Sequence, residues 1–172
     1  DLRYGDAGTD MLSDCVLSFN GRPESLWKDD TRKYQVIRAD YDFAADGGVF
    51  PNRIESNNDA DVARWVERVV HVLPVNQRPE GYNPLGVKNL DPAWIRRLGQ
   101  SGKDCYDAIL AMDIRGLGQS MHECMRCWEA ILPCTVRHQT IKIDLAQILE
   151  YYQQRYPGAM YSGCGGGYLF VA

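Results

Sequence analysis

Four glycines crowd into five residues near the end of the chain, in Ser162-Gly163-Cys164-Gly165-Gly166-Gly167, with an apolar run on either side. Glycine within regular structure costs roughly 0.5–1 kcal/mol against alanine, so neither a helix nor a strand is expected to continue through this stretch. The backbone there must either adopt positive φ or lie close to a ligand or a neighbouring chain. The flanking runs, Ala159–Ser162 and Tyr168–Val171, read as strands, and the unit is therefore strand, glycine loop, strand. A hairpin turn with a bulge satisfies this pattern. So does an anion-holding loop, in which bare N–H groups form a nest and Ser162 donates its hydroxyl to a phosphate or sugar oxygen. Two phosphate-binding motifs are excluded. No Gly-Lys-Ser/Thr ending and no helix follow the run, so it is neither a Walker A loop nor a dinucleotide fingerprint.

The middle of the chain reads as helical. Asp91-Pro92 supplies an N-cap and a proline for a first helical turn. A second segment begins at Ser101 or Lys103 and gathers Cys105, Ala108, Ile109 and Met112 on one face. Asp113 caps a third, in which Leu117, Met121, Cys124, Trp128 and Ile131 form an apolar stripe that stops at Pro133. A fourth runs from about Thr140 to Tyr156, with Leu145, Ile148, Leu149 and Tyr152 inward, and ends at Pro157-Gly158. Earlier, Tyr34–Phe43 reads as a strand with Tyr34, Val36, Tyr41 and Phe43 as inward candidates, and residues 44–60 as loop. Asp59 or Asp61 caps a short helix across Ala60–Glu67, and Val69–Val75 follows as a buried strand. Strands at both ends of a helical middle predict an α+β fold, an antiparallel sheet with helices packed mainly on one face. Residues 1–172 are expected to form a single domain.

Composition narrows the class of partner. With 45% hydrophobic and 24% charged residues the chain has the make-up of a folded globular protein. A net charge of −4 gives no electrostatic case for wrapping nucleic acid or lying on an anionic membrane. No apolar run approaches the roughly 20 residues of a membrane span. Asp1 to Gly8 do not read as an export signal, and six scattered cysteines without one suggest free thiols in a cytoplasmic setting. The first methionine is Met11, and Tyr168–Ala172 stops within an apolar run, so a fragment is expected.

The glycine run and its surroundings resemble a family. Gly158-Ala159-Met160-Tyr161-Ser162-Gly163-Cys164-Gly165-Gly166-Gly167 resembles the C-terminal Gly-Ala–x–x–Ser-Gly–x–Gly-Gly-Gly motif of the GHMP small-molecule kinases. Leu117-Gly118-Gln119-Ser120-Met121-His122 looks like that family's Leu-Gly-x-x-Met-Asn helix, and the spacing between the two is similar. The resemblance covers residues 99–172, a C-terminal motif region. In 1–98, Val69–Val75 with Arg78-Pro79-Glu80-Gly81 looks like the strand and loop of sugar-1-kinases, fucokinases and heptose kinases in particular. Gly8-Thr9-Asp10-Met11 sits where those enzymes carry Gly-x-x-Asp-Gln with the catalytic aspartate. It departs from them in Met11 for glutamine and in a spacing one residue short.

The resemblance implies phosphoryl transfer from Mg-ATP to a sugar hydroxyl. Asp10 would be the base, with Asp14 the fallback and helix capping the alternative for either. Ser162, Gly163, Gly165, Gly166 and Gly167 would hold the nucleotide, and Arg78 and Tyr82 the sugar. The family's Pro-x-x-x-Gly-Leu-Gly-Ser-Ser phosphate loop has no counterpart, and Gly116-Leu117-Gly118-Gln119-Ser120 reads as helix instead. The expected function is therefore the substrate-side part of a sugar kinase, inactive without a missing N-terminal nucleotide-binding half.

A rival reading is a stand-alone binding module, stabilised by zinc or not. Cys124, Cys127, Cys134 and His138, with His122 as a substitute, contain the ligand types of a Cys₃His site. Against it, Cys124 continues the apolar stripe, where a thiol packs as a small hydrophobe, and the favoured reading has no metal ligands in the chain. The zinc deaminase pattern fails, since His122-Glu123-Cys124 is not His-x-Glu. His71 reads as a core or sheet-edge residue, and Trp65 and Tyr151-Tyr152 as packing.

Overall fold

Every α-helix of the described structure starts on an aspartate. The computed structural model describes residues 17–19, 34–41, 51–77, 80, 88–137, 141–161 and 167–172. Asp59 caps α1 (Ala60–Val69), Asp91 caps α2 (Pro92–Leu110), Asp113 caps α3 (Ile114–Ile131) and Asp144 caps α4 (Leu145–Gln153). In each, the carboxylate accepts a hydrogen bond from a backbone N–H in the first turn, which satisfies one of the donors a helix start leaves open. The strands are β1 (Leu17–Phe19), β2 (Tyr34–Tyr41), β3 (Pro51–Asn57), β4 (His71–Pro74), β5 (Ala159–Tyr161) and β6 (Tyr168–Val171).

Helices and antiparallel strands are mixed, as expected, but the described strands form two sheets rather than one. The first has the order β1-β2-β3 and the second β4-β6-β5, all pairs antiparallel. The second sheet is buried from both sides at β5: Met160 on one face and Ala159 and Tyr161 on the other are each at most 2% exposed. The Met160 face opens towards β4, where Val72 and Tyr168 are 54% and 53% exposed.

Four boundaries also differ from those read in the sequence. Strand β3 lies within 44–60, read as loop, because Pro51 is its first residue, a position where proline removes no needed ladder bond. Segments expected on either side of Ser101 are one helix, α2, since Gly99 and Gly102 interrupt the stripe without breaking the backbone. The strand expected at Val69–Val75 is shorter, because α1 continues to Val69 and caps at Val70. It is also an exposed edge rather than a buried strand, with Val72 54% exposed. The last helix begins at Leu145, not near Thr140, because Asp144 is its cap.

The core is built on α2, α3 and the second sheet. The whole predicted α3 stripe of Leu117, Met121, Cys124, Trp128 and Ile131 is buried. Against it, α2 presents Ser101, Gly102 and Cys105, side chains small enough to bring the two helices close; a void of about 10 Å³ remains between them and Met160. The buried hydroxyls of Ser101 and Ser120 donate to the carbonyls of Leu98 and Leu117 within their own helices. Between α2 and α3 the chain turns on Met112, at φ 52°. The amide of Met112 donates to Ile109 O and that of Asp113 to Ala108 O, which is the Schellman pattern.

α3 docks on the sheet through two glycines. A Cβ on Gly118 would meet the Pro157 carbonyl and lie 2.9 Å from Gly158 N. A Cβ on Gly158 would lie 2.5 Å from Gly118 Cα and 2.7 Å from Met121 Sδ. Helix backbone and strand entry are therefore in direct contact, which no side-chain-bearing residue permits at either position.

Candidate functional site

The glycine run opens at one defined end of the second sheet. β5 ends at Tyr161, opposite Leu169, and β6 begins at Tyr168, opposite Pro74 of β4. Because β4 and β6 are antiparallel, β4 leaves the sheet where β6 enters it. The ladder continues one step past both strands: Gly167 O accepts from Val75 N at 2.9 Å and from Asn76 N at 3.3 Å. The closing residue of the glycine run is thus tied to the first residues of the segment that leads to Arg78 and Tyr82. Connectivity brings the end of one segment and the start of the other together, although the joined residues are some 90 positions apart in the chain.

Helix ends frame this end of the sheet. Tyr161 donates its hydroxyl to Leu145 O, the first residue of α4. Burial, with the Asp144 carboxylate nearby, pushes the Tyr161 phenol well above its usual range, so it remains a neutral donor. Asn89 N donates to Ile131 O at 2.9 Å, so the chain that leaves after Asn76 returns at the C-terminus of α3.

The outer edge of β5 is closed by side chains. Gly158 and Ala172 exchange both backbone hydrogen bonds, so by antiparallel alternation Ala159 and Tyr161 turn their backbone groups away from β6. Tyr161 N donates to Met125 Sδ at 3.4 Å, and Gln153 Nε2 donates to Ala159 O at 3.1 Å. The strand that delivers the chain to Ser162 is fixed on both edges.

Of the residues singled out in the sequence, only Gly167 lies at this site among the described ones. Asp10, Asp14, Arg78, Tyr82, Ser162, Gly163, Gly165, Gly166 and His138 lie outside the described residues. Three site features escaped sequence reasoning: Asn76 as an anchor of Gly167, Gln153 as the clasp of β5, and Tyr168 standing 53% exposed beside the run. For Tyr168 a signal existed, as an aromatic directly after the last glycine. For the other two there was none.

The cysteine cluster is divided among different surroundings. Cys124 borders the void between α2 and α3, whereas the Cys127 thiol donates to Glu123 Oε1 at 3.8 Å. Burial and the neighbouring Glu123 carboxylate push the Cys127 thiol up to about 11, so it is protonated at neutral pH. Glu123 also accepts from Arg97 Nε at 2.8 Å and from Arg126 at 2.9 Å, and Arg97 lies 4.4 Å from the Trp94 ring centre. Among the described residues no group of three or more His, Cys, Asp or Glu is arranged to hold a metal ion. An open groove of about 580 Å³ between α2 and α3, lined by Asp104, Asp107, Asp113, Glu123 and Arg126, lies toward the α2–α3 turn.

His71 is exposed on the β4 edge, and Trp65 is buried in the core. Tyr152 is half-buried, while Tyr151 is exposed with the Arg155 guanidinium 3.7 Å above its ring centre. Among the described residues no helix is long and apolar enough to cross a membrane.

No protein-family model matches this chain, and no curated protein or solved structure matches it either.

Proposed function

We propose that this chain is the C-terminal, substrate-side part of an ATP-dependent sugar kinase of the GHMP type, with the fold of that family's C-terminal domain. The observation that carries the reading is the double hydrogen bond from Val75 and Asn76 to Gly167 O. It sets the closing end of the glycine run against the start of the segment that leads to Arg78 and Tyr82. A transferase needs its phosphate-holding and acceptor-holding segments to meet at one place. The same bonds engage the carbonyl at the closing end of the run, removing an oxygen that would repel a phosphate there. The contact of Gly118 with Gly158 supports the reading too, since it gives a packing reason for a glycine in each of the two motifs that carry the resemblance.

In the proposed reaction Asp10 accepts the proton of the sugar hydroxyl as its oxygen bonds to the γ-phosphorus and the bond to the β–γ bridging oxygen breaks. Ser162 and the N–H groups of the run hold phosphate oxygens. Mg²⁺, when bound, neutralises the phosphate charge. The 172 residues contain no Gly-Leu-Gly-Ser-Ser loop, so turnover is proposed to require a nucleotide-binding segment supplied from elsewhere. A cytoplasmic setting, where Mg-ATP is present, belongs to the same proposal.

The test is the unfolding midpoint of the chain with Mg-ATP and with a panel of free sugars, each alone and then together. A ligand at about 100 times its Kd adds roughly 2.7 kcal/mol to stability. A shift with one sugar supports the acceptor site, and a shift with Mg-ATP supports the phosphate role of the run. If neither ligand nor their mixture moves the midpoint, the proposal that this chain holds substrate is withdrawn.

A further inference from the structure

The first sheet carries charges on the face it turns towards the helices. Alternation along β2 puts Val36, Arg38 and Asp40 on one face, and the β2–β3 register sets Arg38 opposite Glu55 and Asp40 opposite Arg53. Val36 is buried in the core, at 2% exposure, so this is the face that meets the helical layer. The four charges form a checkerboard. Arg38 donates to both carboxylate oxygens of Asp40, at 3.1 Å from Nε and 3.0 Å from Nη2, and pairs with Glu55 at 4.0 Å. Glu55 pairs with Arg53 as well. The side chains of Arg38, Asp40 and Glu55 are partly buried, so their fields are screened less than those of surface charges.

Helix α2 answers this pattern with opposite charges. Lys103 Nζ lies 3.8 Å from Asp40 Oδ1. Asp107, one turn further along α2, adds to the field at Arg38. Hydrogen bonding to Asp40 holds the Arg38 guanidinium above its usual pKa against the opposing effect of burial, and the charges of Asp40, Glu55 and Asp107 reinforce it. The spacings match: residues four apart on a helix rise about 6 Å, and residues two apart on a strand about 6.6 Å. Arg38 with Asp107 and Asp40 with Lys103 are therefore two crossed pairs that fit in one register. A slip of two residues along β2 would bring Asp40 to Asp107 or Arg38 to Lys103, like charge to like charge. A slip of one would turn Val36 out of the core.

We propose that the first sheet is a strap held on α2 by these crossed pairs, which opens from the helical layer as a unit when they are screened or reversed. Opening parts Asp40 from Lys103 and exposes Val36, while the packing of α3 on α2 and on the second sheet stays in place. Salt favours the open form. The screening length is about 10 Å at 0.1 M and falls to about 3 Å at 1 M, shorter than the distance from Lys103 to Asp40.

The test is native-state amide hydrogen exchange, read by NMR on the whole chain in about 0.01 M and about 1 M NaCl. Wild type is compared with the double variant Lys103→Asp/Asp107→Lys, which keeps the net charge and leaves the pairs within the sheet intact. Asp107 is exposed and Lys103 is 43% exposed, so neither substitution disturbs the core. In wild type the bonded amides of β2 and β3 are expected to exchange about three- to tenfold faster at high salt, relative to those of α3. In the variant they are expected to exchange roughly tenfold faster than in wild type at low salt, and added salt is expected to slow them, because it then screens repulsion. That reversal of sign separates a dock set by charge from a general effect of salt on stability. Protection of α3 at the wild-type level shows that the variant is folded. The strap is overturned if β2 and β3 exchange alike in both proteins, if salt acts in the same direction on both, or if β2, β3 and α3 of the wild type open together.

Discussion

At the scale of single residues, two positions carry a cost that the fold tolerates. Met112 occupies the left-handed position of the α2–α3 turn, at φ 52° and 46% exposed. A left-handed L-residue costs about 1–2 kcal/mol and glycine's added chain entropy about 0.5–1 kcal/mol, so Met112→Gly is expected to stabilise by about 0.5–1 kcal/mol in chemical denaturation. An unchanged or lowered midpoint would show that Met112 contributes packing that offsets its backbone strain. His122 is the other position. Among the described residues its buried Nε2 has no hydrogen-bond partner, and burial, then the charge of Arg126, lowers its pKa below the usual 6.5. The unfolded chain takes up this proton first as pH falls. Stability linked to His122 is therefore present above pH 6.5 and declines from there towards the lowered folded value. The fall in unfolding midpoint between pH 7.5 and 5.5 should be smaller in His122→Gln than in wild type; equal slopes would remove His122 as its source.

At the scale of elements, caps were the most legible feature and edges the least. Asp59, Asp91 and Asp113 act at helix starts read from the sequence, because capping needs only a carboxylate and the next two or three residues. The start of α4 was placed some five residues early, since Ile141 continues the apolar pattern outside the helix and is itself buried. Strand β3 was hidden by its polar sequence: Ile54 is 61% exposed, so alternation there marks no buried face. The clasp on β5 is a property of an element pair. Gln153→Ala leaves the Ala159 carbonyl, on a residue with 0% exposure, without its partner. The expected cost is about 1–3 kcal/mol, read as a lower denaturation midpoint with unchanged m-value. No cost would mean that water or another donor replaces the amide.

At the scale of the whole molecule, the contact of Gly118 with Gly158 holds the helical layer to the second sheet. Gly118→Ala places a methyl group against the backbone at Pro157 and Gly158, which cannot swing away as a flexible side chain can. Destabilisation of roughly 1–3 kcal/mol or more is expected, with faster amide exchange in β5 as α3 is pushed off. Wild-type stability in that variant would mean that α3 does not dock at this point. The candidate site was legible in part for a physical reason. A glycine run announces its backbone requirement within six residues, whereas the anchoring of Gly167 by Val75 and Asn76 joins residues some 90 positions apart and leaves no local mark.

Local chemistry is what the sequence determined by itself: where α1, α2 and α3 start, which face of α3 is buried, and that strands flank the glycine run on both sides. These follow from interactions within one turn or one alternation, whose partners are neighbours in the chain. The tertiary structure alone decided that the described strands divide into two sheets, that β4 is an exposed edge, and that Tyr168 stands half exposed beside the glycine run. Those outcomes depend on which distant backbone groups find each other, and hydrogen bonding between strands is indifferent to side-chain identity.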